Sequence, residues 1–130
     1  MSLFNFFGND DTKDTASSKI DWNALTDLQQ LDEIVEESSE TPVLIFKHST
    51  RCSISRFALR QFENEFSLKG KIKPYFLDLL EHRDISNEIA HRLGVQHQSP
   101  QIIVIKNGAA VYDASHQDIE AEKLAIVVTN

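Results

Sequence analysis

Apolar runs of strand length alternate with stretches of helical period along most of this chain. That alternation restricts the fold more than any other feature. VLIF (43–46) reads as a buried strand of a parallel sheet. The period then changes, because Ile54, Phe57, Ala58, Phe62 and Phe66 fall on one face of a helix ending near Gly70. IKPYFLDL (72–79) returns to strand, and Pro74, which removes a ladder donor, suits an edge position. A second crossover helix covers about 84–93, with Ile85, Ile89 and Leu93 in register and Gly94 as its stop. QIIVIKNGAAVYDA gives two strands around Asn107-Gly108, a strong hairpin signal.

At the two ends the pattern is plainer. Thr26 and Gln29 match a capping box ahead of a helix carrying Leu28, Leu31, Ile34 and Val35, and Ile20 to Trp22 suit an edge strand. A last helix runs from about Gln117 to Val128, with Ser115 and Asp118 as its cap. Two strand-helix-strand crossovers require parallel pairing, and the hairpin adds an antiparallel strand. The expected architecture is α/β: a mixed four-stranded sheet, with a possible extra N-terminal edge strand, flanked by helices. Residues 1–18 read as a flexible tail before a single domain over 19–130. Phe4, Phe6 and Phe7 are the tail residues able to dock on the domain or on a partner.

A net charge of -7 argues against a general nucleic-acid or anionic-membrane binder. The start MSLFNFFGNDD has no basic segment and too short an apolar one for a signal peptide. With one cysteine the fold owes nothing to disulfides, which fits a reducing compartment. A cytoplasmic monomer without a bound cofactor is expected.

That one cysteine, in HSTRCSISR (48–56), stands between a strand and a helix. Unpaired N–H groups and the positive dipole end of the helix favour a thiolate there. No Asp or Glu occurs between Thr41 and Phe62, whereas Lys47, Arg51, Arg56 and Arg60 do, with His48 nearby. Ser53 and Ser49-Thr50-Arg51 make the flanks polar, unlike those of a buried core cysteine. Ser55 stands where a dithiol enzyme has its second sulfur, so a mixed disulfide on Cys52 must wait for a thiol from solution. Lys47 and Arg51 read as attractors for an anion. His48 tunes the thiol, contacts a carboxylate, or simply ends the strand. His82, His91 and His97 lack metal-ligand spacing.

Element order, Cys52-Ser53-Ile54-Ser55 and Ser99-Pro100 resemble the thioredoxin fold. HSTRCSIS, GVQHQSPQIIVIKNG (94–108) and DASH (113–116) are similar to the monothiol bacilliredoxins, the YtxJ-like general stress family, from about Lys19 onward. The resemblance implies that Pro100 is cis and leaves the backbone of Ser99 free to pair with a ligand. It implies Cys52 as the nucleophile that strips bacillithiol, a cysteinyl-glucosamine malate, from S-thiolated client proteins, with a second bacillithiol as co-substrate. Lys47, Arg51 or Arg56 would meet the malate carboxylates, with Thr50 and Ser55 beside them. Ser115, His116 and Asp118 stand where glutaredoxins hold the end group of their thiol, though Ser115 and Asp118 read better as helix caps. The family's usual residue after the cysteine is proline, and here it is Ser53. Two other classes stay open: a glutaredoxin-like iron–sulfur carrier and a non-catalytic thioredoxin-fold adaptor.

Overall fold

The computed structural model describes residues 20–129. The tail, with Phe4, Phe6 and Phe7, lies outside them. Ile20 is already buried in the core. In chain order the elements are β1 (Asn23–Ala24), α1 (Gln29–Glu37), β2 (Val43–His48), α2 (Ser53–Glu65), β3 (Lys73–Asp78), α3 (Arg83–Leu93), β4 (Gln101–Lys106), β5 (Ala109–Ser115), a 3-10 turn (His116–Asp118) and α4 (Lys123–Thr129). The strands form one mixed sheet in the order β1-β3-β2-β4-β5.

β1, β3 and β2 are parallel, while β4 is antiparallel to β2 and β5 to β4. Only the first of the two expected parallel crossovers therefore forms. β3 ends with Asp78 opposite His48, and β4 begins with Gln101 opposite Lys47. The connection 94–100 after α3 thus returns the chain to the end of the sheet it had left, which reverses β4. The extra edge strand exists, but it is Asn23–Ala24 rather than 20–22.

Pro74 is tolerated beside that edge for a simple reason. Lys73 N–H donates to Pro42 O toward β2, so by strand alternation Pro74 turns its missing donor toward β1. There β1 pairs only with Tyr75 and Phe76. The hairpin forms as expected, with Asn107 at φ 52° and Gly108 at φ 77°, the two positive angles of a type I′ turn. Gly94, at φ 68°, ends α3 in the left-handed conformation.

Local details differ at three helices. The capping box of α1 sits one residue further on than Thr26 and Gln29. Asp27 Oδ1 accepts Gln29 N–H, and Gln30 Oε1 accepts the N–H groups of Thr26 and Asp27. α2 stops at Glu65, short of Gly70. The expected final helix is broken: His116, at φ 55°, opens a 3-10 turn, and an extended Ile119 after Asp118 separates that turn from α4. Ser115 makes no side-chain cap bond.

Both sheet faces are covered. One core joins Phe46, Phe62, Phe66, Ile102 and Leu124, with Trp22 and Leu59 packed against it, under α2 and α4. The other joins Leu31, Ile34, Ile45, Leu77, Ile85, Ile89 and Ile103 under α1 and α3. Among the described residues, no helix is long and apolar enough to cross a membrane.

Candidate active site

The site forms at the C-terminal end of β2. Six buried residues carry that strand into the turn Ser49–Cys52, which Cys52 N–H closes on Ser49 O at 3.1 Å. Cys52 keeps an extended backbone, and its carbonyl accepts Arg56 N–H at 3.0 Å as the first bond of α2. It is therefore the N-cap of the helix, half-buried and free of a disulfide. The N–H groups of the first turn have no partner one turn back and lie around the sulfur's attachment point. Ser53 keeps an N–H that proline would lack.

Ser55 is fully buried. Its Oγ accepts Ser49 N–H at 3.1 Å and lies 2.6 Å from His48 Nδ1. The hydroxyl in the second-sulfur position thus ties the strand end to the helix start. His48 is buried too, and burial, aided by Arg56, pushes its pKa down against the opposing pull of Asp78 and Glu63. His48 is placed to hold Ser55 and not to meet a ligand.

Lys47 does not reach the surface. Strand alternation turns it to the other face, where it is 0% exposed. Its Nζ lies 3.3 Å from His97 Nδ1 and 3.5 Å from Ser86 O, and Ser86 Oγ lies 3.0 Å from the same ring nitrogen. Desolvation pushes the amine down to about 8. The expected anion attractor is instead part of a buried polar cluster.

The cations on the Cys52 surface are Arg51, Arg56 and Arg60, all exposed. Arg51 and Thr50 border a recess with Asp78, whose carboxylate Thr50 Oγ1 approaches at 3.5 Å. Arg56 and Arg60 border another with Ser53 and Phe57. The Ser99–Pro100 peptide is cis, as the resemblance implied. Pro100 O accepts His116 N–H at 3.0 Å, and Gln101 pairs with Ser115. Ser99, Pro100, Ser115 and His116 therefore gather at the same end of the sheet as Cys52. Ser115, His116 and Asp118 then line a groove with Ile54 and Phe57 of α2.

Ile54 and Phe57 were missed as site residues. Expected in the core, they are 67% and 69% exposed, whereas Ser55, Leu59 and Phe62 form the inward stripe of α2. Placing Ser55 inward would have revealed this, since one hundred degrees per residue then turns Ile54 and Phe57 outward. Among the described residues, no group of three or more His, Cys, Asp or Glu is placed to hold a metal ion.

A lone cysteine capping a helix beside a cis-proline, on this sheet, defines a thioredoxin-fold protein of single-cysteine type. A family model described as monothiol bacilliredoxin BrxC matches residues 23–124, and the chain belongs to that family. It is similar to a solved structure described as a candidate oxidoreductase with a thioredoxin fold. The two share 32% identity over 82% of this chain and 92% of the other, with a TM-score of 0.69. Thioredoxins from Malassezia sympodialis (18% identity, 86% and 91% covered, TM-score 0.66) and Fasciola hepatica (16%, 82% and 96%, 0.63) share the fold.

Proposed function

We propose that this chain is a monothiol disulfide-exchange enzyme that removes a small anionic thiol of the bacillithiol type from client proteins. The observation that carries this reading is the pairing of a half-buried Cys52 at the start of α2 with a fully buried Ser55 in the second-sulfur position. In the first step the Cys52 thiolate bonds to the small-thiol sulfur of the mixed disulfide. The old S–S bond breaks, and its electron pair leaves on the client sulfur, which takes a proton from water. Ser55 cannot displace the adduct, so a second small thiol attacks it, releasing the symmetrical disulfide and Cys52. No net oxidant is consumed within the protein, and the released disulfide is reduced elsewhere.

Arg51, Arg56 and Thr50 are the groups for carboxylates of the small thiol, and Ser99 offers its backbone beside Pro100. The enzyme works as a cytoplasmic monomer without a resident cofactor. Incubation of a model protein carrying a bacillithiol mixed disulfide tests the reading, with intact masses followed over time. The adduct is expected to move to Cys52 in the wild type and to stay put with Cys52→Ser. A glutathione adduct run in parallel reports the choice of thiol. Transfer from neither adduct would remove the exchange reading.

A further inference from the structure

The surface around Cys52 divides by charge. On α2 the exposed residues Ser53, Arg56 and Arg60 form one stripe, while Ile54, Ala58, Gln61 and Glu65 form the next. Phe57 borders both. The second stripe faces the 3-10 turn across a groove of about 630 Å³, a size that holds a few residues of a peptide. Its charged lining is carboxylate throughout: Glu65, Asp118, Glu120 and Glu122. Among the described residues that line it there is no lysine or arginine.

A mixed disulfide joins two bodies of unlike character, a small thiol and a polypeptide. Glu120 is paired with Lys123 at 3.2 Å, but the other three carboxylates repel a small thiol that is itself anionic, and the arginine stripe attracts it. The groove is then left to the other half of the substrate. Two large apolar side chains more than half exposed next to each other mark a contact surface rather than a packing remnant. The groove also runs from Ile54, two residues past Cys52, to Ser115 and His116 beside Pro100. An extended segment lying in it keeps its cysteine near Cys52.

We propose that the groove between α2 and the 3-10 turn holds the client polypeptide, and that it selects clients whose thiolated cysteine is flanked by an apolar residue and, beyond it, by lysine or arginine. This rests on the exchange reading of Cys52 and names its substrate class. In the exchange, the client stays in the groove while the Cys52 thiolate bonds to the small-thiol sulfur over the arginine stripe. The client sulfur leaves with the electron pair of the old bond and takes a proton from water.

Two peptides test this, both carrying bacillithiol on cysteine, one with the cysteine flanked on each side by Leu and then Lys-Lys, the other by Leu and then Glu-Glu. Transfer to Cys52 is followed by mass. Binding is followed separately by NMR, with Ser-for-Cys peptides and the Cys52→Ser protein. The lysine peptide is expected to react and bind about tenfold better at low salt, an advantage that shrinks as salt rises. Glu65→Lys with Glu122→Lys, both at exposed positions, is expected to reverse the order. Shifts are expected at Ile54, Phe57 and Ile119. Transfer at equal rates from both peptides, or shifts confined to other surfaces, overturns the groove and leaves the exchange reading. Charge-selective binding without transfer from either peptide supports the groove and removes the exchange reading. Loss of both removes both.

Discussion

Lys47 places an amine on a strand face whose other members, Val43 and Ile45, are wholly apolar. Among the described residues it has no ion pair, only His97, Ser86 and the surrounding core. Burial lowers its pKa from 10.5 to about 8. Below pH 8 the folded and unfolded chains both carry the proton, and the native state bears the full desolvation cost. Between about 8 and 10.5 the unfolded chain binds a proton that the folded chain does not, so stability from this group rises with pH. The rise amounts to about 3 kcal/mol if the whole shift is expressed. Lys47→Met is therefore expected to stabilise the protein near pH 7 by up to about 3 kcal/mol, with the gain fading by pH 10.5. Urea unfolding of both proteins across that range, compared as a difference, checks it. A difference that is flat with pH would mean that burial does not lower the pKa of this amine.

α2 shows what the sequence could and could not disclose. Its existence, its start at Cys52 and the cis-proline opposite were legible, because turn chemistry, a change of period and a family resemblance all agreed. Its orientation was not. Isoleucine and phenylalanine look like core residues and serine like a surface one, yet Ser55 turns inward because His48 and Ser49 satisfy its hydroxyl. Lys47 misled in the opposite sense, since a lysine at a strand end ordinarily snorkels outward. The capping box slipped by one residue because both Thr26-x-x-Gln29 and Asp27-x-x-Gln30 fit the pattern, and only packing chooses between them. Two substitutions on this helix separate its faces. Phe62→Ala empties a site that is 1% exposed and is expected to cost about 3–5 kcal/mol. Phe57→Ser, at a site 69% exposed, is expected to leave the unfolding free energy within about 0.5 kcal/mol and to slow exchange with apolar clients. Denaturant melts beside the mass assay distinguish them. Equal destabilisation by both would mean that Phe57 is packed after all.

At the scale of the molecule, one sheet separates two cores, and its central strands belong to both. β2 and β4 contribute to both: Phe46 and Ile102 face the core under α2, Ile45 and Ile103 the one under α3. Neither core can lose its packing without disturbing the strands that form the floor of the other. The single tryptophan reports on only one side. Trp22 stacks edge-on with Phe46 and Phe76, and its Nε1 donates to Glu63 at 2.7 Å. Ile89, fully buried, lies in the opposite core. Ile89→Ala is expected to lower stability by about 3 kcal/mol. The shift should appear at the same denaturant concentration in Trp22 fluorescence and in far-ultraviolet circular dichroism, because the sheet couples the two faces into one transition. The outcome that would sink this is a fluorescence midpoint left at the wild-type value while the dichroism midpoint falls. The face carrying Cys52 would then hold together without its opposite, and the active site would stand on half the fold.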